Sequence, residues 1–166
     1  MSEPNLAELP SDYRLRIGSG LDRALLVKFM QQTYQELYPG CNLTHFAITV
    51  EQYLSSETPL WWVEQEDATP IACLWLGTAI DQVQGDRHAY IFLLYVSPDH
   101  RRRGIGSALM QYAETWAKAR GDRQIGLQVF QTNQPALNLY AKLGYRTQSI
   151  WMVKSFCILL LFLLHS

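Results

Sequence analysis

Two regimes of hydrophobic spacing follow one another along the chain, and they predict different architectures. Up to residue 98, short apolar runs are punctuated by turn residues. Arg14 to Ile17 predicts a first strand, and Ser19 followed by Asp22 makes a capping box for a helix over Leu21 to Leu37, stopped by Pro39-Gly40. Thr49 is placed to cap a second short helix ending at Leu54. Leu60 to Val63, Ile71 to Ile80 and Ala89 to Val96 read as strands, separated by the turn-forming stretches Glu66–Pro70 and Gln84–Arg87. This middle section predicts an antiparallel meander.

Beyond Gly104 the period lengthens. Ile105, Ala108, Leu109, Tyr112, Ala113, Trp116 and Ala117 lie on one face of a helix that Gly121 closes. Gln124 to Phe130 alternates, with Ile125, Leu127 and Val129 on one side. A strand, a helix and a strand in that order make a crossover unit, so the strands at 89–96 and 124–130 are expected as parallel neighbours. Asn133 caps a further helix with Pro135 in its first turn, Gly144 stops it, and a last strand is expected from about Tyr145 to Lys154. The fold class is α/β (α+β in looser usage): a mixed sheet with helices packed on it.

The segment joining the two regimes carries the chemistry. A strand ends at Val96 and a helix begins near Gly104; between them stand Arg101, Arg102 and Arg103, with Gly104 and Gly106 following. The first backbone N–H groups of a helix lack partners and the helix dipole is positive there, so an anion is stabilised. Glycines let a phosphate approach the backbone, and guanidinium forks match its oxygens. No Gly-Lys-Ser/Thr follows, which excludes a nucleoside-triphosphate loop. Leu109 stands where a dinucleotide fingerprint has its third glycine.

Arg101-Arg102-Arg103-Gly104-Ile105-Gly106 resembles the R/Q-x-x-G-x-G/A motif of the GNAT superfamily of N-acetyltransferases. Asn133 through Tyr145 (NQPALNLYAKLGY) is similar to that family's N-x-x-A-x-x-L-Y-x-x-x-G-F/Y element, at a family-like spacing. The resemblance covers about residues 89–154. It implies a mostly antiparallel sheet with a splayed parallel pair, and acetyl-CoA as cosubstrate, with no metal. The pyrophosphate would be held by Arg101, Arg102, Arg103, Gly104, Ile105, Gly106 and Ser107, mainly through backbone N–H groups. The exposed backbone at Leu94 and Val96 would pair with the pantetheine arm and thioester, and Asn133 matches a side chain that contacts pantetheine as well as capping its helix. Tyr140 matches the general acid. A phenol can return a proton to the thiolate expelled when an amine attacks the thioester; a phenylalanine cannot.

For the general base the resemblance gives no residue, because the position that carries a Glu in some members is Gln128 here. Glu64, Glu66, Asp99, His100 and a water chain stay open. Tyr34, Tyr38, His45, Phe46, Trp61, Trp62 and Trp75 are candidates to line an acceptor groove in the first half.

Composition sharpens this picture further. The chain has 166 residues, 48% apolar and 17% charged, enough for one domain with a real core; that domain is expected over 1–155. Residues 1–98 hold five Lys/Arg against twelve Asp/Glu, a balance of −7, and residues 99–166 hold nine against three, a balance of +6. The acidic half favours a cationic acceptor such as a polyamine, a Lys side chain or a protein N-terminus. A net charge of −1 with no broad basic face speaks against nucleic acid. Three scattered Cys give neither a disulfide framework nor zinc spacing, and the acidic start is unlike a signal peptide, so a cytoplasmic enzyme is expected. A catalytically silent CoA-binding module of the same fold is the alternative. The apolar tail 156–166 is too short to span a bilayer; an added strand, a homodimer contact, a weak membrane anchor and a shifted reading frame all fit it.

Overall fold

A computed structural model describes residues 8–156. Its five strands are β1 (Tyr13–Ile17), β2 (Leu60–Gln65), β3 (Pro70–Ile80), β4 (Arg87–Val96) and β5 (Ile125–Leu127), and they lie side by side in chain order. The first four are antiparallel, and β5 pairs with β4 in parallel, as the crossover predicts. Helices α1 (Arg23–Leu37) and α2 (Phe46–Tyr53) cover one face, while α3 (Ile105–Ala119) and α4 (Gln134–Lys142) cover the other.

Each face has its own core. Leu26, Phe29 and Met30 of α1 and Phe46 and Val50 of α2 pack on Leu60, Trp62, Trp75, Leu93 and Tyr95. On the opposite face Ile105, Leu109, Met110 and Ala113 of α3 pack on Val63, Ala72, Leu74, Leu76 and Ile91. The seven-residue run Ile71–Gly77 is buried on both sides, which is why β3 reads as a continuous apolar stretch and not as an alternation.

β4 changes face halfway along. Leu93 lies opposite Trp75 and Ile91 opposite Leu76, so Phe92 is an extra residue and makes a β-bulge. Ile91 points into the α3 core; Phe92 and Leu93 both turn to the α1/α2 core, and Leu94 and Val96 return to the α3 side. The bulge sits where the ladder to β5 ends, at Ile91 opposite Leu127. Beyond it the two strands part. The Phe92 ring fills the space left by Gly77, where a Cβ would fall 2.0 Å from its Cε2.

Three expectations are corrected. The second helix starts at Phe46 with His45 at the cap position, so Thr49 lies inside its first turn and bonds back to the His45 carbonyl; Asn42, accepting from the Thr44 N–H, closes the turn that starts the helix early. The strand over 124–130 is only Ile125–Leu127, because the bulge takes β4 away from it. The strand expected over Tyr145–Lys154 is not formed. The chain leaves α4 through left-handed Gly144 and a bond from the Tyr145 N–H to the Tyr140 carbonyl, and Ile150 to Val153 are exposed. Four consecutive apolar residues give no one-sided face to lay against a three-residue edge strand. Phe156 is exposed too, and the remainder of the tail, 157–166, lies outside the described residues. Among the described residues no helix is long and apolar enough to cross a membrane.

Gly77→Ala is expected to cost about 1–3 kcal/mol by forcing the Phe92 ring from its place. Urea denaturation should show the loss, and Phe92→Leu in the same chain should restore most of it; a fully stable Gly77→Ala would mean that the ring does not seat the bulge.

Candidate active site

The parting of β4 and β5 leaves β4 from Leu93 to Val96 paired with β3 on one side and without a strand on the other. Backbone N–H and C=O groups on such an edge need partners. Leu94 and Val96 stand here, half-buried. Past β5, Phe130 packs edge-on against Tyr34 (centroids 6.0 Å apart) and Tyr38 (5.1 Å) of the α1 end, so aromatic rings close the cleft on the α1/α2 face.

Above the cleft the chain passes from β4 into α3 through a strained turn. Pro98–His100 form a single 3-10 turn; Arg102 is left-handed (φ 62°), and so is Gly104 (φ 82°), the cap residue of α3. A left-handed arginine is costly without support. Support comes from β1, whose Tyr13 hydroxyl accepts from Arg103 (2.9 Å) and shares a hydrogen bond with His100 Nδ1 (2.8 Å), while Arg103 also donates to the Asp99 carbonyl (3.2 Å). No side chain caps α3, so its leading N–H groups point out of the turn, and nothing lies within 4 Å of the place a Cβ on Gly104 would occupy. Successive N–H groups in such alternating backbone make a concave anion seat. The turn therefore fits a pyrophosphate.

The three arginines differ. Arg102 is exposed and makes no hydrogen bond or ion pair among the described residues. Arg103 is tied to β1. Arg101 donates through Nε to the Val96 carbonyl (2.8 Å) and through Nη2 alone to both carboxylate oxygens of Glu36 of α1 (2.8 and 2.9 Å), with its guanidinium 5.7 Å from the Tyr95 ring centre. Gly106 faces α4, where a Cβ would stand 3.2 Å from Leu139, so the two sequence motifs meet at this point. Asn133 takes its capping role, accepting from the Ala136 N–H (3.3 Å). Tyr140 packs against the α3-side core beside Tyr145 (5.8 Å), and burial pushes its phenol up to about 12.

Several candidates leave the site. Glu64 is buried between Arg14 and Arg16, its carboxylate committed to both. Glu66 is exposed in the β2–β3 turn. Trp62 and Trp75 are fully buried core, and Trp61 faces the other way, edge-on to Trp116 at 6.5 Å. Tyr34, Tyr38, His45 and Phe46 do gather, with His45 on Phe46 at 4.2 Å and Tyr34 on Phe46 at 4.8 Å. Sequence reasoning passed over Glu36 and Phe130. Phe130 was legible only as a strand end, and Glu36 as one polar position of a helix.

A family model described as the acetyltransferase (GNAT) family matches residues 27–145. An uncharacterized N-acetyltransferase of Methanocaldococcus jannaschii is 36% identical over 47% of this chain, and the chain spans only 33% of that relative's length. A GCN5-related N-acetyltransferase from Ralstonia eutropha is 26% identical, with a TM-score of 0.68 over 87% of this chain and 98% of that one. The aminoglycoside acetyltransferase AAC(6')-Iy, solved with a CoA-S-monomethyl-acetylneamine bisubstrate analogue, shares the fold at 17% identity, with a TM-score of 0.68 over 89% of this chain and 100% of that one.

Burial raises Tyr34, Tyr90, Tyr95, Tyr140 and Tyr145 together. A phenol raised on folding lends stability that is complete below its unfolded value of about 10 and is lost as pH climbs through the folded value. For Tyr140 that window runs from about 10 to about 12. Denaturation series across this range should show stability falling, and less steeply in Tyr140→Phe; an equal slope would mean that Tyr140 titrates as if exposed.

Proposed function

The chain belongs to the GNAT acetyltransferase family, and on that premise we propose that it moves an acetyl group from acetyl-CoA to a primary amine on a cationic molecule or peptide. The observation that carries this reading is the uncapped, left-handed turn standing directly above the cleft between β4 and β5. One motif forms the turn and the other brings Tyr140 to the same side of the sheet.

Acetyl-CoA, when bound, supplies an acyl thioester that a neutral amine can attack. The chain's own groups do the rest. Backbone N–H groups from Arg102 to Ser107 hold the pyrophosphate, with Arg102 adding charge. The free edge of β4 at Leu94 and Val96 pairs with the amide groups of the pantetheine arm and fixes the thioester in the cleft. Asn133, besides capping α4, borders that arm. The amine enters from the α1/α2 face past Tyr34, Tyr38 and Phe130, whose ring faces suit an alkylammonium. The −7 balance of residues 1–98 draws a cation to the acidic half of the molecule.

Tyr140 acts as the general acid. As the nitrogen–carbon bond forms and the carbon–sulfur bond breaks, its proton passes to the departing sulfur, and the proton that the nitrogen gives up leaves through water and restores the phenol. A phenol held near 12 keeps that proton throughout the neutral range.

Thiol release from acetyl-CoA, followed with polyamines, aminoglycosides, amino acids and Lys or N-terminal peptides, tests the reading. Release above the no-amine background is expected, with cationic amines the best, and Tyr140→Phe should lower kcat about 10²- to 10⁴-fold. Folded protein that binds CoA yet releases no thiol with any amine would instead make it a silent CoA-binding module. A preference for neutral or acidic amines would sink the cationic acceptor alone.

A further inference from the structure

Arg101 stands at the head of the phosphate turn, yet its guanidinium is neutralised by a carboxylate from a helix 65 positions earlier in the chain. One guanidinium nitrogen, Nη2, lies between the two carboxylate oxygens, at 2.9 Å from Oε1 and 2.8 Å from Oε2, a charge-assisted contact of the kind a phosphate oxygen would also make. Both side chains are open to water, 42% exposed for Arg101 and 39% for Glu36, so the pair is weak enough to exchange. Arg101 has two further contacts, the Val96 carbonyl and the Tyr95 ring, that do not depend on Glu36. Glu36 has a second tether of its own, accepting from the Tyr95 hydroxyl at 3.3 Å. Arg103, by contrast, is satisfied by a hydroxyl and a carbonyl, and Arg102 faces solvent. Of the three, only Arg101 is paired with a carboxylate among the described residues, one that a phosphate would have to displace.

Resting on the acetyl-CoA reading above, we propose that Glu36 is an internal stand-in for the pyrophosphate: it pairs with Arg101 in the free protein and yields it when the dianion arrives. Glu36 is thus a residue that sets cosubstrate affinity through Arg101. Its competition for the guanidinium lowers the affinity of the free protein. The exchange also couples the turn to the end of α1, which bears Tyr34 and Tyr38 on the acceptor side, so that cosubstrate binding releases that end from the turn.

Calorimetric titration of the full chain with CoA separates this role from a structural one, because the two predict opposite signs. Glu36→Gln is expected to bind CoA about three- to fivefold tighter than the wild type, and Arg101→Gln several-fold weaker. The double variant should match Arg101→Gln alone, since Glu36 acts only through Arg101. Glu36→Ala guards against a residual hydrogen bond from the amide and should behave as Glu36→Gln does. Unchanged or weaker CoA binding in both Glu36 variants, at an unaltered melting temperature, overturns the stand-in and leaves the acetyl-CoA reading intact. Failure of the wild type to bind CoA at all would overturn that reading, and this inference with it.

Discussion

Everything functional in this molecule hangs on the backbone edge that β4 exposes after Ile91. A strand inside a sheet normally spends its N–H and C=O groups on two neighbours. Here one extra residue, Phe92, bends β4 away from β5 after three paired positions. The edge so opened is covered by no strand, and only the Val96 carbonyl at its end is taken, by the Arg101 guanidinium. The turn into α3 follows directly from its end. An extended ligand with amide groups is the natural complement of such an edge.

The bulge is held by packing rather than by hydrogen bonds. Phe92 lies over Gly77 and against Trp75 (4.8 Å) and Tyr90 (5.8 Å), so the α1/α2 core grips the residue that breaks the ladder. The same bulge moves Leu93 and Tyr95 into that core and turns Leu94 and Val96 toward α3. Strand geometry, core packing and the cleft are one arrangement. Changing the ring or the glycine alters all three together.

The acidic first half and the basic second half meet in specific pairs and not as two smooth surfaces. Glu36 engages Arg101 and Asp86 engages Arg123, each an acidic-half residue bound to a basic-half one. Glu64 is spent inside the acidic half, on Arg14 and Arg16. A buried carboxylate committed to two guanidinium groups is costly to uncouple, which removes Glu64 from acid–base work despite its place on a central strand.

Local chemistry was legible in the residues themselves. The change of hydrophobic period placed the meander and the crossover, because β and helical spacings are properties of the chain alone. Glycine at 104, with a helix following, favoured the turn, since glycine takes a left-handed cap without the steric cost a side chain adds. Asn133 with Pro135 specified the start of α4 in the same way. What tertiary structure alone decided was which groups share a space. No period reveals that Phe92 is an extra residue, because its consequence appears only against Trp75 and Leu76 of the neighbouring strand. Nor does any motif join Glu36 to Arg101, or set Trp62 and Trp75 in the core while Tyr34 and Tyr38 meet Phe130 at the cleft. Those pairings lie dozens of residues apart and follow from how the layers stack. The chain encoded its turns and elements locally; only their packing decided where the cleft opens and which charges face it.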